Sequence, residues 1–395
     1  MSNKDFEFTK LNISGKVNKI GITLLVIGLA LGVVSYIMDP ARASFSYLLA
    51  YIFLLTVGMG SLFLVALEYA AGAVWSVFFR RISEFFASII PILIILIIPL
   101  LFNLHDIFTW THKSLISADK VIHGKASYLN IPFLLIRFGI ILVIFSLFYK
   151  IITVNSRKQD ATADQNLTTK NIKFSIAYIV FFAFAVTVLA IDWIMSIEPH
   201  WFSTIFGVYL FSGTTWVALA ITTLVAVILK EKGQLPQVTK DHFYSLGTLM
   251  FAFTAFWGYI AFSQYMLMWI GNLPDETSWF FHRWTGPWTV ISVVLIVTHF
   301  IVPFFALISY PSKTNYGRLK FISIWIIAAH LLDLYWLIMP GMRINGGTYF
   351  FSWSDLVFLI AAIGFLILVF ASRAKKYNFI PIGDPKLQRS IDFKL

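Results

Sequence analysis

The fold class follows from stretches such as residues 45–71, which read FSYLLAYIFLLTVGMGSLFLVALEYAA and contain one charged side chain, Glu68. A helix of about 20 apolar residues is long enough to cross the hydrocarbon core of a bilayer, which is about 30 Å thick. The run does not alternate apolar and polar residues, as a strand of a membrane barrel would. Because a backbone within lipid must satisfy its own hydrogen bonds, the stretch predicts a membrane-spanning α-helix.

Similar runs recur along the whole chain. Of the 395 residues, 59% are hydrophobic and only 12% are charged, whereas an average soluble domain has about 25% charged residues. The sequence therefore predicts an all-α integral membrane protein with ten transmembrane helices. Their predicted ranges are 18–38, 45–71, 85–104, 131–153, 172–196, 203–230, 243–269, 286–310, 318–339 and 352–371.

The lysine and arginine residues are distributed unequally between the two sides of this predicted membrane domain. With ten helices, the N-terminus, alternate loops and the C-terminal tail share one side, and together they hold 23 of the 30 basic residues. The loops of the other side hold six, and Arg137 lies within a helix. Short loops rich in lysine and arginine stay in the cytoplasm. The distribution predicts that both termini are cytoplasmic.

A polar stretch near the middle of the chain suggests a division into halves. Residues 155–171 read NSRKQDATADQNLTTKN and are predicted to form a mobile cytoplasmic loop. On this interpretation residues 1–171 hold helices 1–4 and residues 172–395 hold helices 5–10 and the tail, within one membrane domain.

A faint internal repeat suggests a second grouping. Asp192 precedes Pro199 by seven residues in helix 5, and Asp333 precedes Pro340 by the same step in helix 9. The two helices lie four apart, which is compatible with parallel repeats. The pattern favours two four-helix bundles, helices 2–5 and 6–9, with helices 1 and 10 added outside, although one matched pair also arises by chance.

Several kinds of chemistry are excluded by residues that the sequence lacks. The chain has no cysteine, so it forms no disulfide and ligates no iron–sulfur cluster. Zinc spacings, phosphate-binding loops, nucleophile elbows and nucleic-acid patches are absent as well. No metal site is predicted, and any electron transfer requires a metal held by another subunit.

Ionisable side chains inside the membrane are the candidates for function, because a charge at the centre of a bilayer costs about 3 kcal/mol or more. Most of them lie towards the outer ends of the predicted helices, and only Glu68 belongs to the inner half. The candidates for a proton path are Asp192, His330, Asp333, Arg137, His105, Asp106 and Glu68.

The strongest of these candidates is a histidine–aspartate pair in helix 9. His330 and Asp333 are three residues apart, so they share one face of the helix and lie within mutual reach. A histidine whose ring meets a carboxylate has a defined tautomer and accepts a proton near neutral pH. The pair is therefore predicted to handle protons, with a polar clamp between helices as the alternative.

The other candidates have two interpretations each. Asp192 either forms a structural ion pair with Arg137 or relays protons near the outer surface. Glu68 either reaches the cytoplasmic interface or takes part in a proton path. His105 and Asp106 either anchor a loop or exchange protons at the outer face.

Three further polar residues lie in the predicted helices 7 and 8. His299 and His330 are predicted on adjacent helices at similar depths, so they are either two separate packing histidines or a bracket for a haem. Gln264 and Tyr265 are expected to form interhelical hydrogen bonds.

Three strings carry a resemblance to a known family. They are DWIMSIEPHWFSTIFGVY at 192–209, SQYMLMWIGNLPDE at 263–276 and HLLDLYWLIMPG at 330–341. In these strings the chain resembles the NrfD-like ten-helix membrane subunits of Alternative Complex III, a quinol:cytochrome c oxidoreductase, and is most similar to the second of its two such subunits. The resemblance extends over most of helices 2–10.

This resemblance implies a place in a bacterial respiratory chain. It implies a location in the bacterial inner membrane, a pair of four-helix bundles with two extra helices, and menaquinol as the reductant. Iron–sulfur clusters and haems are then expected in partner subunits, which include an iron–sulfur subunit, cytochrome c subunits and a sister NrfD-like subunit. Asp192, His330 and Asp333 are the first-rank residues of the implied proton path.

Two other functions remain open at the level of sequence. The buried acids and the suspected repeat are also found in proton- or ion-coupled secondary transporters, although these commonly have matched broken helices at the midplane. A b-type haem subunit is the other alternative. The chain is expected not to be catalytic alone.

Overall fold

The computed structural model describes residues 10–11, 13–342 and 351–395, so Lys4 and Arg343 of the charge comparison lie outside this part. Within it, ten helices are long and apolar enough to cross a membrane and no residue lies in a strand, which confirms the predicted all-α membrane fold. The helices are α1 Gly15–Met38, α2 Pro40–Ala71, α3 Arg80–Leu101, α4 Ile131–Thr162, α5 Gln165–Ile197, α6 Phe206–Glu231, α7 Lys240–Gly271, α8 Pro287–Leu307, α9 Tyr316–Gly341 and α10 Trp353–Lys376.

Side chains that cap the backbone set many of the helix boundaries. Asp39 ends α1 and caps α2, where its carboxylate accepts from Arg42 N at 3.0 Å and Pro40 occupies the first turn. Asn130 caps α4 and Asn315 caps α9 through their side-chain oxygens. These residues satisfy amide groups that a helix leaves unpaired at its start, so the polar residues between apolar runs fix where these helices begin.

The centre of the molecule is formed by α2 and α6, which are the two most deeply buried helices and pack against each other. α2 also packs on α3 and α5, and α4 packs on α3 and α5; α6 packs on α7 and α9, and α8 on α7 and α9. α1 lies outside, mainly against α10, where Gly28 and Gly364 let the two backbones approach closely. α5 also packs on α6, and α10 on α2, so these contacts do not divide the helices into two separate bundles, and the grouping of α2–α5 and α6–α9 stays a prediction.

The prediction of a mobile loop at residues 155–171 is wrong. α4 continues to Thr162 and α5 begins at Gln165, so only Ala163, in the left-handed region at φ 52°, and Asp164 separate them. The two polar helix ends are tied together where Gln159 Nε2 donates to Thr168 Oγ1 at 2.6 Å. Polar residues continue a helix readily once it has left lipid, and the proposed division between 171 and 172 consequently falls inside α5.

The C-terminal tail, residues 377–395, crosses one end of the bundle. Asp384 pairs with Arg80 at the start of α3, and His242 Nε2 lies 2.9 Å from Ser390 O. Gly383 lies against the backbone of Gln159, where a Cβ would come within 1.9 Å of the carbonyl oxygen. We call this end, with the tail and the adjoining ends of α2–α7, the terminal face, and the other end the opposite face.

Candidate functional site

A cluster of three ionisable residues lies in the interior, where α8 and α9 face α2 and α6. His299 comes from α8, and His330 and Asp333 come from α9. Each is buried, and one ligating atom of each lies within 4.8 Å of the other two. Ionisable groups away from water are costly unless they have close polar neighbours, so they mark candidate functional sites. We call His299, His330 and Asp333 the central cluster and treat it as the candidate site.

An irregularity in α8 carries His299 at the cluster. Residues 297–301 form one wide turn with the hydrogen bonding of a π-helix, and Pro303 follows. Proline has no amide hydrogen, so it cannot bond to the carbonyl of residue 299, four positions earlier. Trp325 Nε1 donates to the Thr298 carbonyl at 2.8 Å within the same turn. Such wide turns are frequent at functional sites.

Residues of α6 and α7 enclose the two imidazole rings. Trp216 and Trp257 stack on His299, with ring centroids 4.1 and 3.7 Å away. Gly213 faces His330, and a Cβ there would stand 3.1 Å from Cε1 and Nδ1 of the ring. The tryptophans hold His299 in one orientation, and the glycine lets α6 approach α9 closely enough to complete the cluster.

The hydrogen bonds of the cluster differ from the predicted histidine–aspartate pair. Tyr209 Oη donates to Asp333 Oδ1 at 2.5 Å, and His330 Nε2 lies 3.1 Å from Thr56 Oγ1. Asp333 Oδ2 lies 3.7 Å from Nε2 of His299. In the described chain no hydrogen bond joins His330 to Asp333, so these two residues share a site but reach different partners.

Three ring nitrogens of the cluster lack a hydrogen-bond partner in the described residues: both of His299, and Nδ1 of His330. Buried polar atoms without partners are rare, and they concentrate at sites that bind or transfer something. A carboxylate beside two imidazoles, with a tyrosine hydroxyl on one of its oxygens, has the groups required to accept and pass protons.

The same residues form a possible ligand set for a metal ion. Two histidines and a carboxylate suit first-row transition metals. Metal–ligand bonds of about 2 Å require ligand atoms about 3.3 Å apart, whereas the ligand atoms here are only within 4.8 Å of one another, so the side chains would have to move closer to hold an ion. A haem fits less well. The Nε2 side of His299 faces Asp333, and tryptophans cover both faces of its ring, so a macrocycle between His299 and His330 would displace these neighbours.

A large cavity adjoins the cluster between α7, α8 and the end of α9. Its volume is about 770 Å³, and Tyr209 and Trp257 form part of its wall. Tyr259 and Phe262 line it where α7 is exposed, at 67% and 63% of their surface. The cavity therefore opens sideways between helices, towards the lipid-facing side of the protein, and its inner wall is formed by the side chains that contact Asp333 and His299.

Gln264 is the main polar group on the other walls of this cavity. Its side chain is 4% exposed, and its Oε1 accepts no hydrogen bond from the described residues. Tyr265 also lines the cavity and packs on Phe280. Through this oxygen, the interhelical hydrogen bond expected of Gln264 is not formed among the described residues, and the side chain is a polar group at the wall of the cavity.

Arg137 and Asp192 form a separate ion pair between α4 and α5. Arg137 Nε and Nη2 donate to the two carboxylate oxygens, each at 2.9 Å, and Nη1 donates to the Tyr128 carbonyl at 3.1 Å. The guanidinium also stacks over Phe133 at 4.2 Å. The structural ion pair of the two alternatives is thus present. No described contact joins this pair to the central cluster, so Arg137 and Asp192 form a site separate from His330 and Asp333.

Glu68 belongs to a buried network at the terminal face. Its carboxylate accepts from Arg80 Nε at 2.8 Å, and Arg80 Nη1 donates to Asp384 at 2.5 Å and to the Tyr69 hydroxyl at 3.0 Å. Glu68 is only 5% exposed, so the interpretation that it simply reaches the interface is wrong. The reason is that the C-terminal tail covers this end of α2.

His105 and Asp106 lie exposed on the connection between α3 and α4, at the opposite face. His105 Nδ1 lies 2.9 Å from Thr111 Oγ1, and the His105 carbonyl lies 3.0 Å from His112 Nε2. These contacts fit the loop-anchoring interpretation of His105. Among the described residues neither His105 nor Asp106 contacts the central cluster.

Another ionic group at the opposite face joins residues that are distant in sequence. Glu198 accepts from Arg283 Nη1 and lies beside His282 Nδ1, each at 2.9 Å. Burial favours a higher pKa for Glu198, but the Arg283 charge and both hydrogen bonds outweigh it and hold the pKa below its ordinary value. Arg283 also donates to the carbonyls of Trp336 and Leu337, which fixes the end of α9 that follows Asp333.

Sequence reasoning missed the cluster partners Tyr209, Thr56 and Trp257. Tyr209 closes the string 192–209, and a buried tyrosine beside small residues such as Gly213 was the available signal. Thr56 is an isolated hydroxyl within an apolar run, and nothing local distinguishes it. No protein-family model matches the chain, and no curated protein sequence matches it either.

Proposed function

We propose that this chain is a membrane subunit of a respiratory quinol:electron-acceptor oxidoreductase of the Alternative Complex III type, located in the bacterial inner membrane. The observation that carries the proposal is the lipid-facing cavity whose wall contains Tyr209 and Trp257, the side chains in contact with Asp333 and His299. A quinol is a lipid-soluble reductant that must lose protons as it is oxidised. A cavity open to lipid beside a buried base suits such a substrate.

The polar groups of the cavity suit the two ends of a quinol ring. One hydroxyl would lie at the side-chain amide of Gln264, and the other at the Tyr209 hydroxyl. Because Tyr209 already donates to Asp333, the tyrosine oxygen can accept a proton from the quinol while its own hydroxyl proton passes to the carboxylate. The aromatic side chains Phe280 and Phe300 supply apolar walls for the ring and its tail.

Oxidation of one quinol releases two electrons and two protons. Asp333 accepts the first proton through Tyr209, and His299, 3.7 Å from Asp333, provides the next acceptor. The electrons pass to iron–sulfur clusters and haems in partner subunits, since this chain has no cysteine to hold a cluster. The chain thus supplies the quinol pocket and the bases, and its partners supply the oxidant.

A proton-coupled secondary transporter is the competing function, because buried acids and histidines also serve transport. The cavity favours the quinol, as it opens among the exposed aromatic side chains of Tyr259 and Phe262. A water-soluble substrate needs a path to water at one face of the protein. Two experiments separate these functions: identification of the proteins that co-purify with the chain, and measurement of quinol kinetics after substitutions in the cavity.

The first prediction tests the cavity in the intact complex. Purification through a tag on this chain is expected to bring subunits that contain iron–sulfur clusters and haem, together with quinol:cytochrome c activity. Ala261→Phe places a ring in the cavity, and we expect it to raise the quinol KM roughly tenfold or more, the scale of steric exclusion from an apolar pocket. Gln264→Leu should raise the KM about fivefold through loss of one hydrogen bond.

The matched control is Val290→Phe, which adds the same ring at a lipid-facing position of α8 that is 64% exposed. It is expected to leave the KM unchanged. Normal quinol kinetics in both Ala261→Phe and Gln264→Leu, in a complex with intact clusters, would place the quinol elsewhere. A lone homo-oligomer without redox partners would instead favour the transporter.

The second prediction concerns orientation in the membrane. We expect the terminal face to be cytoplasmic, because most lysine and arginine residues of the chain lie on that side. Single cysteines at Lys120, Lys158 and Lys386 introduce the only thiols of the chain, and an impermeant maleimide applied to intact cells should label position 120 alone. Labelling at 158 without lysis would reverse the assignment, and labelling of all three after lysis is the control for accessibility.

A further inference from the structure

A second apolar cavity lies between α1, α6, α9 and α10, in the half of the bundle nearest the terminal face. Its volume is about 470 Å³. Each of the four helices contributes to the wall of this cavity, through side chains such as Val17, Val225, Ile327 and Ile363. Phe53 of α2 also lines it. Neither the quinol cavity nor the central cluster shares a lining residue with it.

The dimensions of this cavity match one leaflet of a bilayer. On α6 it extends from Ile221 to Leu229, which is about 12 Å at 1.5 Å per residue. On α10 it extends from Ile363 to Phe370, which is about 10 Å. Half of a hydrocarbon core of about 30 Å is about 15 Å. The space therefore accommodates a hydrocarbon chain that runs from the terminal face to the middle of the membrane.

The polar side chains of the cavity are confined to its mouth. Ser14, Lys232 and Gln234 are the polar lining residues, and they lie where α1 begins and just after α6 ends. Everything deeper is aliphatic or aromatic. A ligand of this shape has its polar group at the membrane surface and its apolar part inside, which is the arrangement of a phospholipid and the reverse of a buried quinone ring.

The charge at the mouth selects the headgroup. Lys232 is exposed and forms no salt bridge with the residues that the structure describes. The nearby acid, Glu231, is already paired with Lys320 at 2.7 Å, and Lys230 donates to the carbonyls of Leu235 and Pro236. The cation available at the mouth is thus Lys232, which is complementary to a phosphate. Basic pockets between membrane helices bind anionic headgroups in this way.

We propose that this cavity, the lipid groove, is a binding site for one anionic phospholipid, with an acyl chain between α1 and α6 and its phosphate at Lys232. The lipid completes the packing of α1, which otherwise contacts mainly α10. This site is independent of the proposed quinol chemistry, and it would exist in a transporter as well.

The test uses native mass spectrometry of the full chain, delipidated in detergent and titrated with phosphatidylglycerol or phosphatidylcholine. We expect one tightly bound phosphatidylglycerol. Lys232→Gln should weaken its binding about fivefold, the effect of one lysine near an anionic headgroup, and leave phosphatidylcholine binding unchanged. Val225→Trp, at a half-buried position of the groove, should remove the tightly bound lipid altogether.

Two matched variants control for charge and bulk. Lys240→Gln removes another exposed lysine of the terminal face, and Val290→Trp adds the same indole on a lipid-facing surface; both should retain the lipid. Unchanged binding in Val225→Trp, or equal effects of Lys232→Gln on both lipids, would overturn the proposal. Recovery of a quinone in place of the lipid, displaced by Val225→Trp, would overturn it as well.

Discussion

Asp333→Asn is expected to abolish most of the quinol-dependent turnover of the complex while leaving its assembly intact. Asparagine keeps the shape of the side chain, and its amide oxygen still accepts the hydrogen bond from Tyr209 that is 2.5 Å long in the native protein. It cannot take up a proton at that position. Since general bases contribute about 100-fold or more to such steps, we expect turnover to fall at least about 100-fold.

The measurement is steady-state turnover with a soluble quinol, together with proton release and the spectra of the partner haems. Tyr209→Phe removes the hydroxyl that connects the cavity to Asp333 and should show a loss of the same kind. Asp275→Asn, at an exposed position, is the matched control and should turn over normally. Normal turnover and proton release in Asp333→Asn would exclude the assigned role, and failure to assemble would favour the alternative of a structural clamp.

The membrane helices could be predicted from sequence because each depends on local composition. Ten apolar runs predicted ten helices, and capping residues such as Asp39 and Asn130 fix boundaries within a few residues of the predicted ones. The error at 155–171 arises because local composition is ambiguous there. A polar segment that follows a transmembrane helix can be a loop or a further helical stretch, and the contact of Gln159 with Thr168 that decides between them is tertiary.

The candidate site was only partly predictable, because its geometry comes from five helices. His330 and Asp333 were found from the cost of burying them, yet their partners are on α2, α6 and α8. His299 was noticed as a buried histidine, and Pro303 marks the disturbed helix that carries it. The imidazole of His299 reaches Asp333 only because of the way α8 packs on α9. No local sequence pattern encodes that packing.

Long-range ion pairs show the same limit. The sequence predicted that Asp192 and Arg137 either pair or relay protons, and the pair exists because α4 and α5 form a close hairpin. The network around Glu68 was not predicted either: Arg80 donates to Glu68, and Asp384, which pairs with the same Arg80, lies over 300 residues away in a tail whose position follows from the whole fold. Charged residues within apolar runs can be recognised from the sequence, whereas the residues that pair with them cannot.

Arg80→Met is expected to produce the largest loss of stability among single substitutions at the terminal face. Arg80 is 3% exposed and lies between the carboxylates of Glu68 and Asp384, which are 5% and 6% exposed. Methionine fills a similar volume but leaves two buried acids without their cation. Removal of one partner from a buried ion pair costs about 3–5 kcal/mol. Because Asp384 lies in the C-terminal tail, the tail should also detach.

Thermal unfolding in detergent and limited proteolysis of the tail measure the two effects. Arg389→Met, an exposed arginine of the same tail, is the control and should change the free energy of unfolding by less than about 0.5 kcal/mol. The double variant with Asp384→Asn should recover part of the lost stability, since it removes one of the two uncompensated charges. If Arg80→Met unfolds like the native chain and its tail resists protease, the network does not hold the tail, and the burial of Glu68 must then come from α2 and α3 alone.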